Sequence, residues 1–431
     1  MGRGAWLNLV RPMPNGSHDL VERLSGNPMT GTGRTSRSQT LEGESHISIA
    51  NLASRRSHKV ITVVAFRGVC TCGQPLISVR PDTTVHVTFW YLRVQTSTYM
   101  AIPQRIAVTE VNHWHSSYDA NYLECLRSLG VDIVGVSDHN IDLAEDRAAK
   151  YSSKAFTDYR AMVEETNPDF VIALGRHIDM PDIARFLIDA DIPFMMEKPM
   201  GLSAEIVSSL ADLTEARGAW VAVPFPNRML PWAERAKAMI EAGDFGRISH
   251  VVFRIIRPTM ERYREWGSPW MWERKAAGGG ALLNLGGHGM DLTRHLIGPE
   301  ISVASAVISN RIHHAEVEDY AMATLRNTDG VLAHIEVGYT WPTWPENKSD
   351  LEMKIAGEKA VLRALPQGVQ LIAQGREEMF PGGATAAGLY PTLVEDTLRR
   401  AGCGEPPAIT VRDCANAVEL LDQAYRLAGR T

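Results

Sequence analysis

The sequence predicts an α/β protein in which a doubly wound parallel sheet comes first and an α+β domain with a largely antiparallel, open sheet follows. Between residues 105 and 196, short apolar strands alternate with helices, which indicates parallel strands joined by right-handed crossovers. Between residues 302 and 364, strands follow one another on short connections, as they do in antiparallel sheets. A glycine-rich segment, residues 278–280, opens an apolar helix between these two regions.

Length, charge and cysteine content limit the class of protein. The chain has 431 residues, enough for two or three domains. Its net charge of −6 combines +6 in residues 1–100 with −12 in residues 101–431, and an acidic body argues against a nucleic-acid partner. No apolar run is long enough to cross a membrane, so no membrane partner is predicted. The five cysteines form no C-x-x-C pair, which predicts free thiols in a reducing, cytoplasmic setting and no metal site.

The first 99 residues differ from the rest of the chain. They are rich in arginine, and residues 25–58 have many small polar residues and no helical period, which predicts disorder. The stretches 60–66 and 83–94 are apolar enough for short strands but have no obvious partner. Three interpretations stay open, namely a disordered arm, a targeting peptide, and an extension translated by mistake. We favour the last, with Met100 as the true start, because the regular α/β pattern begins directly after it.

Residues 100–222 form the first predicted domain, a Rossmann-type sheet. Its strands are predicted over 105–109, 131–137, 170–174 and 192–196. Its helices are predicted near 122–129, 143–151, 157–165, 181–190 and 203–218. Such a sheet binds ligands beyond the carboxyl ends of its strands, where Asp138 and Glu197-Lys198-Pro199 stand.

The first strand–helix turn, residues 110–118, is where this fold binds dinucleotides. It lacks all three glycines of the usual G-x-G-x-x-G fingerprint, and Glu110 would bring a negative charge close to the phosphates. The N–H groups of the helix N-terminus remain as an anion site, with Ser116 and Ser117 as partners. Asp138, at the end of the second strand, is predicted to accept hydrogen bonds from a ribose diol, which favours NAD over NADP.

The glycine-rich helix carries four polar residues, Asn284, His288, Asp291 and His295, at i, i+4, i+7 and i+11 on one stripe. Polar groups buried on an apolar helix without a purpose are costly. Lys198 closes a buried strand some ninety residues upstream, at the ligand-binding end of the sheet. Each motif alone has a structural explanation, a surface lysine or a capped helix. Their joint occurrence indicates an active site.

Residues 223–431 form the second predicted domain. It begins with a helix over 231–243 and a strand over 250–256. A long loop over 257–277 is rich in Trp and Arg, and two interpretations of its tryptophans have equal support: they line a substrate site, or they pack a subunit interface. The remaining predicted elements are strands over 302–309, 319–326, 331–339, 351–356 and 359–364, a hairpin turn at Asp329-Gly330, and helices near 392–400 and 412–428.

From about Arg105 to its end, the chain resembles the Gfo/Idh/MocA oxidoreductases, a family named for glucose–fructose oxidoreductase and inositol dehydrogenase. The residues that carry the resemblance are Glu197-Lys198-Pro199, Asn227-Arg228, Trp272 ahead of the three glycines, and the Asn284, His288 and Asp291 helix. The order of the elements agrees as well. The resemblance covers about three quarters of the chain, and its motifs are specific for the family rather than for a substrate.

The resemblance implies catalytic roles for three residues. Lys198 matches the family's catalytic lysine, which hydrogen-bonds the reacting oxygen, and His288 matches the general acid/base that acts on the substrate hydroxyl. Asn284 stands where many members have an aspartate that assists the proton transfer. An amide can hold the substrate by hydrogen bonds but carries no proton, so His288 and Lys198 would have to suffice.

The resemblance also implies a nicotinamide cofactor, NAD, with NADP as the alternative. The residues expected at the cofactor are Asn112, His113, Trp114, Asp138, Glu197 and Lys198. The residues expected at the substrate are Asn227, Arg228, Trp272 and Asp291.

The leading hypothesis is an NAD(P)-dependent dehydrogenase or reductase that acts on a hydroxyl or carbonyl carbon of a sugar, cyclitol or related polyol. Two alternatives stay open. One is a paralogue that lost tight dinucleotide binding and serves as a ligand-binding or regulatory protein, which Glu110 and Asn284 favour. The other is a lyase or glycosidase that uses bound NAD transiently. The open antiparallel sheet has a face to cover, which predicts a homodimer or homotetramer.

Overall fold

The computed structural model describes three strands within residues 36–67 and, further along the chain, residues 102–343, 348–383 and 386–430. The chain divides into two compact units, Met1–Gln95 and Thr96–Thr431. Each unit is described by itself.

The first unit contains a three-stranded antiparallel sheet. Its strands are β1 (Ser36–Leu41), β2 (Ser45–Ala53) and β3 (Val60–Arg67), paired in that order. A strand was expected over 60–66, and β3 agrees with it. The strands β1 and β2 lie within residues 25–58, where the sequence predicted disorder, and that prediction is wrong for them. The alternation of Ile47 and Ile49 with small or polar residues is easily missed in so polar a stretch. The strand predicted over 83–94 lies outside the described residues, and the interpretation of residues 1–99 as an extension stays a prediction.

The second unit begins with the predicted parallel sheet of six strands, in the order β6-β5-β4-β7-β8-β9. The strands are β4 (Arg105–Val108), β5 (Asp132–Ser137), β6 (Ala155–Phe156), β7 (Phe170–Ala173), β8 (Phe194–Met196) and β9 (Val221–Ala222). The crossover helices are α1 (Tyr122–Leu129), α2 (Ile141–Tyr151), α3 (Tyr159–Thr166), α4 (Met180–Asp189) and α5 (Ala204–Arg217). This is the strand order of a Rossmann sheet. The two-residue edge strands β6 and β9 were not predicted, since neither is long enough to show a period.

The second sheet has eight strands, in the order β11-β12-β13-β10-β14-β15-β16-β17. The strands are β10 (Ile248–Pro258), β11 (Ile301–Ser309), β12 (Tyr320–Asn327), β13 (Leu332–Trp341), β14 (Asp350–Gly357), β15 (Ala360–Leu365), β16 (Gly368–Ala373) and β17 (Arg376–Phe380). Every pair is antiparallel except β10 with β13. The predicted, largely antiparallel sheet is therefore confirmed. The strands β16 and β17 extend it beyond the predicted strands.

Six further helices complete the second unit: α6 (Pro231–Glu241), α7 (Glu261–Glu265), α8 (Arg274–Ala277), α9 (Gly287–Ile297), α10 (Tyr390–Gly402) and α11 (Val411–Leu427). The helix α10 returns to the parallel sheet, where Leu393, Val394 and Leu398 join one hydrophobic cluster with Tyr122 and Leu126 of α1. On the other face of that sheet, a larger cluster is shared with α9, α11 and the second sheet. The C-terminal helices α10 and α11 therefore pack on opposite faces of the parallel sheet, and α11 also contacts the second sheet.

No helix among the described residues is long and apolar enough to span a membrane. Cys125 and Cys414 are buried free thiols, and Cys403 is exposed. The other two cysteines lie outside the described residues.

Candidate active site

The glycine-rich segment is fastened by a buried carboxylate that sequence reasoning missed. Glu318 Oε1 accepts hydrogen bonds from the backbone N–H groups of Gly280 at 2.8 Å and Leu282 at 3.0 Å, and from the Tyr425 hydroxyl at 2.7 Å. The chain then runs through a π-helical turn, Leu282–Gly286, before α9 begins. The predicted single α-helix is therefore wrong in its first turns, and π-helical turns are frequent at functional sites.

Replacing Gly280 by alanine is expected to destabilise the protein. A Cβ atom at this position would lie 1.8 Å from the carbonyl oxygen of Glu318, a backbone atom that cannot move aside cheaply. We expect a loss of about 1–3 kcal/mol of unfolding free energy, as in other overpacked sites. Gly287→Ala is the matched control, because its Cβ would meet only Leu421, at an ordinary 3.7 Å. Equal stability of the two variants in urea unfolding would contradict this account.

Lys198 and Asn284 hold each other in fixed positions. Lys198 is 2% exposed, and its Nζ donates to the Asn284 backbone carbonyl at 3.0 Å and to the Asn284 Oδ1. The Asn284 Nδ2 donates in turn to the hydroxyls of Tyr263 at 2.9 Å and Tyr339 at 2.8 Å. Both ends of the amide are therefore engaged by protein groups. An ammonium has three N–H donors, and the one that is not directed at Asn284 remains for a ligand.

Glu197 is turned away from the pocket into a second polar network. Its Oε1 accepts hydrogen bonds from His115 Nδ1 at 2.7 Å and from the Tyr122 hydroxyl at 2.5 Å. Burial opposes its ionisation, but His115, Lys198 and His113 outweigh that effect and hold the pKa of Glu197 below its usual range. The carboxylate therefore stays charged and partly balances the buried ammonium of Lys198.

His288 is a buried histidine in its neutral form. Burial, followed by the nearby charge of Lys198, lowers the pKa of His288 well below 6.5. Its ring stands edge-on to Phe225 at a centroid distance of 5.7 Å, and its Nδ1 is buried without a partner. Burial also lowers the pKa of Lys198, which Glu197 partly offsets. A neutral imidazole beside an ammonium is a suitable pair for taking up a proton and stabilising an oxyanion.

These groups meet in one pocket of about 90 Å³. The residues that line it are Trp114, His115, Asp119, Lys198, Pro226, Asn227, Ile255, Arg257, Arg262, Tyr263, Asn284, Leu285, His288, Leu351, Ala386 and Tyr390. All three residues expected to be catalytic lie in its wall. Of those expected at the cofactor or the substrate, Trp114, Lys198 and Asn227 also line it.

Three of the residues expected at the substrate lie outside that wall. Asp291 accepts two hydrogen bonds from Arg228, from Nε at 2.8 Å and from Nη2 at 2.5 Å. Arg228 Nη2 also donates to Asp413 Oδ1 at 3.1 Å. Burial raises the pKa of Asp291 to about 6 against the effect of Arg228. Trp272 donates its Nε1–H to the Met260 carbonyl at 3.3 Å. In this arrangement the three side chains support the helix α9 and the segment before it rather than the pocket.

The Trp-rich segment over 257–277 packs mainly inside the unit. Trp270 lies between the rings of His113 and His177, at centroid distances of 5.9 and 5.0 Å. Ser268 Oγ donates to the Asn112 carbonyl at 2.5 Å, and Ile178 N–H donates to the Ala276 carbonyl at 3.1 Å. No tryptophan of this segment lines the pocket, and Trp266 and Trp270 pack against the first turn through Tyr118 and His113.

The first turn differs from the expected anion site. Of the nine backbone N–H groups in residues 110–118, all except that of Trp114 donate to protein acceptors. Ser116 Oγ donates to the Val111 carbonyl at 2.7 Å. Asp138 is fully buried, and its two oxygens accept the N–H groups of Asn112 at 2.6 Å and Asn140 at 2.9 Å. Its role at a ribose stays a prediction.

The expected dinucleotide site has a nicotinamide end, at the pocket, and a phosphate end, at the first turn. Only the nicotinamide end fits the ligand in this arrangement. At the reacting end, Lys198 and His288 face one pocket and fit nicotinamide chemistry. At the phosphate end, the turn offers no set of free N–H donors in this arrangement. His113 and Trp114 are buried there and stack on each other at 4.0 Å. A pyrophosphate would require these hydrogen bonds to rearrange.

Glu110 occupies the position of a fingerprint glycine and has a backbone conformation that favours glycine. Its φ is +45°, in the left-handed region. Burial, followed by Asp138, raises the pKa of its carboxyl group to about 7. The turn therefore combines a backbone conformation that favours glycine with a partly buried acid.

Replacing Glu110 by glutamine is expected to stabilise the protein at neutral and higher pH. Because the pKa is raised in the folded state, the contribution of Glu110 to stability is greatest below pH 4.5 and is lost as the pH rises through about 7. Glutamine cannot lose a proton, so its advantage should grow to about 1–3 kcal/mol across that range. Urea unfolding at several pH values measures it. For the exposed control Glu164→Gln we expect no such trend, and a parallel trend in both variants would contradict the account.

Comparisons with known proteins identify the family. Residues 105–225 match the family profile described as an oxidoreductase family with an NAD-binding Rossmann fold, and residues 233–363 match the GFO/IDH/MocA C-terminal domain. Together the two matches cover more than half of the chain. The chain therefore belongs to the Gfo/Idh/MocA oxidoreductase family.

Among curated relatives, levoglucosan dehydrogenase of Pseudarthrobacter phenanthrenivorans is 27% identical over 213 residues, which cover 47% of this chain and 52% of that protein. The chain thus spans about half the length of this relative. The mouse trans-1,2-dihydrobenzene-1,2-diol dehydrogenase is 21% identical over 324 residues, which cover 72% of this chain and 92% of that protein.

Solved structures share the fold. GenD2 from gentamicin A biosynthesis, in complex with NAD, has a TM-score of 0.65 at 21% identity, covering 77% of this chain and 95% of that one. Levoglucosan dehydrogenase in complex with NADH and levoglucosan has a TM-score of 0.64 at 18% identity, covering 75% and 97%. At these identities the likeness shows the fold alone.

Proposed function

We propose that the protein is an NAD(P)-dependent oxidoreductase that acts on a hydroxyl or carbonyl carbon of a sugar, cyclitol or related polyol. The observation that carries the proposal is the meeting of Lys198, Asn284 and His288 in one small pocket at the carboxyl end of the parallel sheet. Several relatives, among them myo-inositol dehydrogenase Hyg17 of Streptomyces leeuwenhoekii and D-glucoside 3-dehydrogenase of Escherichia coli, carry names that fit such a substrate.

The bound nicotinamide would supply the hydride acceptor or donor. His288, neutral because it is buried, takes the proton of the substrate hydroxyl. Lys198 directs its remaining N–H at the same oxygen and stabilises the negative charge that develops there. Asn284 acts as a positioning residue, since its carbonyl and amide oxygens orient the ammonium. Trp114 and Lys198 would lie against the nicotinamide end of the cofactor.

A substrate screen tests this proposal. The full chain is incubated with NAD or NADP and a panel of cyclitols, aldoses, anhydrosugars and sugar acids, and the ultraviolet absorbance of the reduced nicotinamide is followed. We expect reduction with at least one compound of the panel. No reduction with any member, and no oxidation of NADH by the corresponding ketones, would contradict the proposal.

A second candidate function is a ligand-binding or regulatory paralogue that no longer binds dinucleotides. The internally satisfied N–H groups of residues 110–118 favour it. The retained pair of Lys198 and His288 opposes it, because a binding protein has no need of a buried ammonium beside a neutral imidazole. The two candidates differ in whether NAD binds at all.

A further inference from the structure

Arg262 is a buried cation in the pocket wall whose hydrogen-bonding capacity is mostly unused. Its residue is 1% exposed, and no carboxylate of the described residues lies within 4.0 Å of its guanidinium. A guanidinium has five N–H donors. Two of them meet the Pro258 carbonyl and, at 3.0 Å, the Tyr263 hydroxyl, while Nε is buried without a partner.

Aromatic rings hold this cation but do not satisfy its donors. The guanidinium carbon lies 4.7 Å from the centroid of the Tyr263 ring and 5.1 Å from that of Tyr339. Such contacts attract a cation electrostatically, yet they provide no in-plane acceptor for its N–H groups. The rings therefore hold the guanidinium in the pocket wall while its Nε–H stays without an acceptor.

The charged side chains around the pocket carry more positive than negative charge. Among the described residues that line it, Lys198, Arg257 and Arg262 are cations and Asp119 is the only carboxylate. Asp119 forms an ion pair with Arg257 at 2.7 Å. Glu197 lies behind the wall, where it is hydrogen-bonded to His115 and interacts electrostatically with Lys198. Against the effect of burial, Arg257 and also Arg262 lower the pKa of Asp119, so one carboxylate stands against two arginines. The described groups therefore leave one positive charge that is not neutralised, and such a charge is costly in a buried site.

We propose that this pocket binds a substrate that carries a carboxylate, a uronic or aldonic acid, with the carboxylate seated on Arg262 and Arg257. The planar fork of a guanidinium matches a carboxylate and can bind it through two parallel hydrogen bonds. The polyol part then extends toward Lys198 and His288, so the proposal rests on the function proposed above for the chemistry at the hydroxyl. The pocket, about 90 Å³, suits a small acid rather than a long chain.

Calorimetric titration of the full chain, without dinucleotide, tests the carboxylate site. The probes are D-glucuronate, D-glucose and inorganic phosphate. We expect D-glucuronate to bind at least about tenfold more tightly than D-glucose, because a charged hydrogen-bond pair replaces a neutral one. Equal binding of the acid and the neutral sugar, or absence of binding by the acid, would overturn the proposal. Phosphate that binds as tightly as D-glucuronate would also overturn it, in favour of a phosphorylated ligand.

Three variants separate a binding role from a structural one. Arg262→Gln should abolish the preference for the acid, whereas Arg264→Gln, an exposed arginine of the same short helix that pairs with Glu261, should preserve it. Asp119→Asn should increase affinity for the acid several-fold, because it frees Arg257 and removes a competing carboxylate. Asparagine tolerates the left-handed backbone at this residue, where φ is +52°. Weaker binding by Asp119→Asn with an unchanged melting temperature would contradict the assignment.

Binding of a carboxylate and reduction of NAD are measured separately, so the carboxylate site and the oxidoreductase activity are tested independently. If D-glucuronate binds but no sugar acid reduces NAD, the carboxylate site stands and the oxidoreductase proposal is wrong for these ligands. If a neutral polyol reduces NAD while the acids neither bind nor compete, the oxidoreductase proposal stands and the carboxylate site is wrong.

Discussion

Lys198→Ala is expected to lower kcat by about 10²–10⁴-fold on any substrate that the screen identifies, with a smaller change in KM. The ammonium is held by the carbonyl and the amide oxygen of Asn284, so its remaining donor is fixed in direction before a substrate arrives. A preorganised donor at a developing oxyanion contributes mainly to the transition state, and its loss therefore appears in kcat.

The control for this experiment is Lys275→Ala, which removes an exposed lysine that does not line the pocket. Circular dichroism and melting temperature of both variants establish that each remains folded. If Lys198→Ala retains the kcat of the wild-type enzyme while folded, then Lys198 has no part in the chemistry and the proposed mechanism is wrong.

His288→Gln is expected to have an effect of similar size, about 10²–10⁴-fold on kcat, because glutamine preserves a polar side chain but cannot take up the proton. The pH profile of the wild-type enzyme provides an independent check. Because burial lowers the pKa of His288 well below 6.5, the base stays neutral in mildly acid solution, and kcat/KM should decline only well below pH 6.5.

The alkaline limb of the same profile reports on Lys198. Burial lowers its pKa from 10.5, so the ammonium loses its proton, and kcat/KM falls, at a pH below 10.5. An acid limb centred at 6.5 that persists in His288→Gln would show that another group titrates, and it would remove His288 from the role of base.

The parallel sheet and most of its helices were predictable because their signals are local. The helix α5 shows this well, since Ser203 caps its start and Gly218 ends it in the left-handed conformation. Strands such as Phe170–Ala173 are uniformly buried and appear as short apolar runs. Both signals depend on the chemistry of neighbouring residues, which a single sequence displays directly.

The catalytic candidates came from another source, namely motifs that resemble those of a family, and their roles stay predictions. The surroundings of these candidates were not predictable. Glu318 lies 38 residues from Gly280, and Tyr339 lies 55 residues from Asn284. No periodicity links such pairs, and the hydrogen bonds between them exist only once the second sheet has formed. The π-helical turn was missed for the same reason, since tertiary contacts determine it rather than propensity.

The first turn shows the limit of a motif argument most clearly. The missing glycines drew attention to residues 110–118, but the sequence alone suggested that free N–H groups would remain. The structure instead has His113 Nδ1, Ser137 and Asp138 as acceptors for them. Those acceptors come partly from the neighbouring strand β5, so the pattern of satisfied donors could not be deduced from the turn itself.

Calorimetric titration of the full chain with NAD and NADP shows whether the protein binds a nicotinamide cofactor. The wild-type protein is compared with Glu110→Gly, which removes a negative charge and relaxes the left-handed backbone at φ +45°. We expect NAD to bind the wild-type protein and to bind the variant more tightly. Absence of saturable heat for wild-type protein with either dinucleotide would contradict an NAD(P)-dependent oxidoreductase and favour the ligand-binding paralogue. Binding restored only in Glu110→Gly would locate the loss at this turn.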